Sequence, residues 1–75
     1  MRLMKRSLSL DGHATSVALE PEFWAVLDIA AAHQNRSLAG LIGQIDSARG
    51  DTPLASALRV WALWHESTRA GLQDG

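Results

Sequence analysis

The sequence predicts a mainly α-helical fold headed by a short β-ribbon. Three observations lead there. Residues Lys5–Leu10 and Ala14–Leu19 each alternate from one side to the other, and Asp11-Gly12 between them suits a tight turn because glycine accepts a positive φ. Val17 and Leu19 share one face of an extended segment that runs without a loop into Glu20-Pro21-Glu22. Proline is tolerated in a first helical turn, and acids there favour the positive end of the helix dipole. Beyond that junction, apolar residues recur at helical spacing in three stretches.

The first strand spans residues 4–10, with Arg6, Leu8 and Leu10 on one side and Lys5, Ser7 and Ser9 on the other. It forms a hairpin with the second strand or remains a flexible arm. The first helix should run from Pro21 to Gln34, with Phe23, Leu27, Ala30 and Ala31 as its apolar stripe and Trp24 and Val26 widening it. Asn35 suits a left-handed position after that helix. Ser37 suits the N-cap of a second helix from Leu38 to about Ala48, whose apolar face is Leu38, Leu41, Ile42 and Ile45. Gly40 and Gly43 weaken this helix by about 1 kcal/mol each relative to Ala, a cost that close packing of another backbone would explain. Gly50 can cap it, and Asp51 or Thr52 can start a third helix over residues 53–70, with Pro53 in its first turn. Its apolar residues Leu54, Ala57, Leu58, Val60, Trp61, Leu63 and Trp64 cover so wide an arc that two buried sides are expected. Residues 71–75 read as a frayed tail.

Composition narrows the function. Seventy-five residues are read as one small domain, and 47% of them are hydrophobic, with three Trp. Self-association is the expected way to cover that much apolar surface, since the chain has no cysteine for disulfides or thiolate metal sites. The net charge of −1 is far from that of a strongly basic nucleic-acid binder, yet Arg2, Lys5 and Arg6 cluster before any acid. That basic start resembles the opening of a signal peptide, but Ser7, Ser9, Asp11 and His13 interrupt any apolar run. No stretch reaches the roughly 20 apolar residues of a membrane span, so a cytoplasmic protein without membrane contact is expected.

Strand, helix, turn and helix in this register resemble the ribbon-helix-helix family of DNA-binding dimers. Val17 and Leu19 match the inward strand positions, and Glu20-Pro21-Glu22 matches the strand-to-helix junction. Leu27, Ala30 and Ala31 match the first helix, Asn35 the turn, and Ser37-Leu38 with Leu41 and Ile42 the second helix. The core motif covers about residues 14–48. Lys5–Leu10, Gly12-His13, Leu19–Trp24 and Ala57–Val60 look like a bacterial subfamily that adds an N-terminal strand and a C-terminal helix.

The resemblance implies an intertwined homodimer, or an oligomer of dimers, acting as a transcriptional regulator on double-stranded DNA. The ribbon would lie in the major groove, with outward side chains reading base edges. The outward residues Ala14, Ser16 and Ala18 offer one polar reader, Ser16. Ser37 and the amides of Leu38 and Ala39 would clamp a phosphate at a helix N-terminus. Arg2, Lys5 and Arg6 would add charge if the first strand lies beside the ribbon. Alternatively that strand covers the ribbon, and the scaffold serves protein assembly without sequence-specific DNA binding. Val17, Leu19, Phe23, Trp24, Leu41, Ile42, Leu58, Trp61 and Trp64 are the expected dimer or oligomer contacts.

Other features carry little chemistry. His13, His33 and His65 lack metal-ligand spacing; His13 reads as a turn residue and the other two as helix-surface residues. Arg49-Gly50-Asp51 reads as a cap and turn. Arg59 can pair with Asp46 or Asp51, or face DNA or a partner. No nucleophile, base and orienting group stand together, so neither an enzyme nor a cofactor or small-molecule substrate is expected.

Overall fold

Asp11 and Gly12 reverse the chain. In the computed structural model, which describes residues 2–74 and their side chains through Arg69, both adopt positive φ, 52° and 80°. This is the two-residue turn whose twist matches flanking strands. It joins β1 (Met4–Leu10) to β2 (His13–Leu19) as an antiparallel pair in the register Met4↔Leu19 to Leu10↔His13. The first segment is thus a strand and not a free arm, and His13 opens β2.

Facing residues share a side, so the ribbon has two unlike faces. Leu8, Leu10, Val17 and Leu19 point inward, whereas Lys5, Ser7, Ser9, Ala14, Ser16 and Ala18 point outward. Three helices cover the inward face: α1 (Pro21–His33), α2 (Leu38–Ala48) and α3 (Leu54–Asp74). β1 packs on α2, β2 packs on α3, and α1 closes against both of those helices. Leu19, Leu27, Leu41, Ile42 and Leu58 are completely or almost completely buried in the shared core, each stabilising by about 1.5–3 kcal/mol.

The helix ends follow the local chemistry. Glu20 caps α1 through its carbonyl, which accepts from the amides of Phe23 and Trp24 at 3.0 and 3.2 Å. α1 ends in a Schellman motif: the Arg36 amide donates to Ala31, the Asn35 amide donates to Ala32, and Asn35 has φ 56°. Ser37 Oγ accepts from the Gly40 amide at 3.0 Å and starts α2. Gly50, at φ 60°, follows the C-cap Arg49 and opens the connector's turn, which the Thr52 amide closes by donating to the Arg49 carbonyl at 3.1 Å. The Pro53 carbonyl accepts the first bond of α3 from Ala57, so Pro53 stands at the cap and not inside the helix. No further proline stops α3, and it continues past the expected end at residue 70 to Asp74.

The expected hairpin forms: the Asp11-Gly12 turn folds β1 back onto β2 within one chain. Two other expectations change. Trp24, not Phe23, leads the buried stripe of α1: its indole N–H donates to the Met4 carbonyl at 2.7 Å, and Phe23 is half-buried. No backbone packs on Gly43, where an added Cβ would meet nothing within 4 Å, and at Gly40 it would meet only Ser37 Oγ.

Candidate nucleic-acid interface

The outward face of the ribbon is the candidate site. Alternation puts Lys5, Ser7 and Ser9 of β1 opposite Ala18, Ser16 and Ala14 of β2. All but the half-buried Ala18 are exposed. The Ser7 and Ser16 hydroxyls stand 3.4 Å apart across the strands. This face therefore offers an ammonium at one end, hydroxyl donors and acceptors along the middle, and two small methyl groups.

The N-terminus of α2 flanks the turn end of the ribbon. Ser9 and Asp11 share an open groove of about 430 Å³ with Arg36, Ala39, Gly40 and Gly43. Ser37 takes the Gly40 amide, and helix geometry leaves the amides of Leu38 and Ala39 without intrahelical acceptors. Those amides and the helix dipole favour an anion, Arg36 adds a positive charge, and Asp11 opposes it.

The structure divides the expected cations. Lys5 stays on the open face, and Arg2 is exposed ahead of β1. Arg6 does not join them. Its place in the register turns it to the helical side, where its guanidinium donates to both Asp28 carboxylate oxygens at 3.0 and 3.1 Å. It also lies over the Trp24 ring, 4.7 Å from the centroid. Arg49 pairs with Asp46, and Arg69 with Glu66. Arg59 pairs with neither Asp46 nor Asp51 but with Glu20, at 2.9 Å, joining α3 to the start of α1. The Arg59 guanidinium first, then a backbone hydrogen bond, holds the Glu20 carboxyl below the usual glutamate range. Arg2, Lys5 and Arg36 make no ion pair among the described residues.

The expected contacts between copies also divide. Val17, Leu19, Trp24, Leu41, Ile42 and Leu58 are buried in the core of one chain, because β1 and α3 supply the covering surfaces. Phe23 and Trp61 are half-buried, and Trp64 is exposed. His65 lies partly buried against Trp61, the rings stacked at 4.7 Å, with no hydrogen-bond partner for its Nε2 among the described residues.

Sequence reasoning omitted Ser7, Ser9 and Arg36 from this surface. The alternation of β1 already placed the two serines beside Lys5. The role of Arg36 has no comparable signal, since it depends on the turn of the ribbon packing near α2. Among the described residues no group of His, Cys, Asp and Glu could hold a metal ion, and no helix is long and apolar enough to cross a membrane.

No curated protein and no solved structure matches the chain. A family model described as "Ribbon-helix-helix domain" matches residues 3–65, from the first strand to the middle of α3. With strands, junction and first two helices in that order, the chain belongs to the ribbon-helix-helix family.

Proposed function

We propose that the chain is a small transcriptional regulator that binds double-stranded DNA through the outward face of its ribbon, acting as a dimer or an oligomer of dimers. One observation carries this reading: the polar face with Lys5, Ser7, Ser9 and Ser16 is open to solvent on the side away from the helices. Two strands are narrow enough for the major groove, about 12 Å wide. Serine hydroxyls can meet several base edges, and the methyl groups of Ala14 and Ala18 suit a thymine methyl. Lys5, Arg2 and Arg36 would contact phosphates, as would the Leu38 and Ala39 amides.

The charge sets a limit that an experiment can read. Three cations per chain, Arg2, Lys5 and Arg36, make no ion pair among the described residues, so a dimer would neutralise about six phosphates and give a log–log salt slope of about −5. Titrating labelled duplex from about 20 to 200 mM salt measures the slope. A slope near that value, reduced by Lys5→Ala, supports the reading; absence of duplex binding at the lowest salt overturns it.

A second reading is a protein-assembly module on the same scaffold, without sequence-specific DNA binding. It is favoured by the short reach of Ala14 and Ala18 and by the net charge of −1. A nucleic-acid titration without response, together with a stable assembly, would select it.

A further inference from the structure

The outward face of the ribbon is divided lengthwise. Its β1 side carries Lys5, Ser7 and Ser9, and its β2 side carries Ala14, Ser16 and Ala18. Lys5, at the end away from the turn, is the one long side chain; the other five residues are alanine or serine. Such a face can lie close to whatever it meets, because nothing rigid holds its backbone off. Closeness matters for alanine: carbon atoms touch at about 4.0–4.5 Å, so its Cβ reaches a base only when the backbone comes within roughly 6 Å.

We propose, resting on the DNA reading of this same face, that the ribbon selects duplexes carrying pyrimidine C5 methyl groups in the major groove, with Ala14 and Ala18 as the residues that touch them. Elimination leads to the methyls. Serine hydroxyls donate or accept, and so fit any base pair. Ser7 and Ser16, 3.4 Å apart, can also bond to each other where a base offers no partner. Lys5 reaches a phosphate. Discrimination between bases therefore falls to the two alanines. The apolar group that a standard base presents in the major groove is the thymine C5 methyl, and 5-methylcytosine carries the same group at the same place.

The strand fixes a spacing. Ala14 and Ala18 both belong to β2, four residues apart, and alternation turns both Cβ atoms to the same face. At about 3.4 Å per residue they stand about 14 Å apart. A duplex rises about 3.4 Å per base pair, so a ribbon lying along the groove sets the two methyls over bases about four pairs apart. Ala14 is exposed and Ala18 half-buried, so Ala14 makes the larger contact. Each methyl buried in this way strengthens binding about four-fold, and two of them at most about sixteen-fold.

The test is titration of the full chain, at about 20 mM salt, with two pairs of labelled duplexes. One pair has A·T base pairs in mixed order, with either thymidine or deoxyuridine as the pyrimidine. The other has G·C pairs in mixed order, with either cytosine or 5-methylcytosine. Within each pair the duplexes differ only in the C5 methyl. The wild type should bind the thymine duplex about four- to sixteen-fold more tightly than the uracil duplex. A gain in both pairs assigns the contact to the methyl of either base, and a gain in the A·T pair alone assigns it to thymine. Ala14→Gly should lower the thymine-to-uracil ratio, and Ala14→Gly with Ala18→Gly should bring it to about one. The ratio is taken within each protein, so a smaller folded fraction does not alter it. Should the glycines prevent folding, Ala14→Ser with Ala18→Ser sets hydroxyls against the methyls and should lower the ratio likewise. Equal wild-type affinity for thymine and uracil duplexes, or a ratio unchanged in the variants, would overturn the proposal and leave the DNA reading in force. Absence of binding to all four duplexes would overturn both.

Discussion

Replacing Trp24 by Phe cuts the tie between the helices and the ribbon while keeping an apolar ring. The indole N–H to the Met4 carbonyl is lost, a neutral hydrogen bond of about 0.5–1.5 kcal/mol. The site is 1% exposed, and the smaller ring leaves an unfilled volume of about 40 Å³, which costs roughly 1 kcal/mol. The Arg6 guanidinium loses part of its stacking surface, worth about 0.5 kcal/mol in a half-exposed site. Together the loss is about 2–3 kcal/mol, or a fall in Tm of about 10–20 °C for a domain this size. Urea unfolding measures the total. Hydrogen exchange locates it, because the amides of β1 should lose protection before those of α2. A loss below about 0.5 kcal/mol with β1 protection unchanged would refute the view that Trp24 anchors the first strand.

Three further outcomes follow from the same contacts. Ser37→Ala removes the α2 cap and should cost about 1 kcal/mol in thermal unfolding, while also weakening duplex binding. Gly43→Ala should stabilise the chain by about 0.5–1 kcal/mol, since a Cβ there meets nothing and α2 gains helix propensity; destabilisation would reveal a close neighbour at that face. The Glu20–Arg59 pair should make stability depend on pH in acid. Because the folded carboxyl titrates below its unfolded value of about 4.3, the pair's contribution is complete above that pH and is lost as pH falls through the lowered folded value. The stability gap between wild type and Arg59→Met should narrow over that window in acid titrations, and a constant gap would exclude the pair as its source.

Much of the fold was legible because local chemistry dictates it. Asp11-Gly12, Asn35, Ser37 and Gly50 occupy the turns and caps that their side chains or backbone freedom suit. The alternation of Lys5–Leu10 sorted the two faces of β1 correctly. What was not legible depends on distant partners. Arg6 follows Lys5 in the sequence and looks like part of the same basic cluster, yet Asp28, 22 residues away, takes its charge. The choice of Glu20 for Arg59, 39 residues away, has no local signature. The same limit governed the apolar residues: spacing identified Leu58 and Ile42 as buried, but not that β1 and α3 of one chain would cover them.

The central claim is that the outward face of the in-chain ribbon is the DNA surface. Amide chemical-shift mapping during titration with duplex DNA at low salt tests it most directly. The account predicts that Lys5, Ser7, Ser9 and Ser16 shift together with Leu38 and Ala39 at the start of α2, and that Val60, Leu63 and Trp64 stay in place. Shifts confined to α3, or none at all, would contradict it.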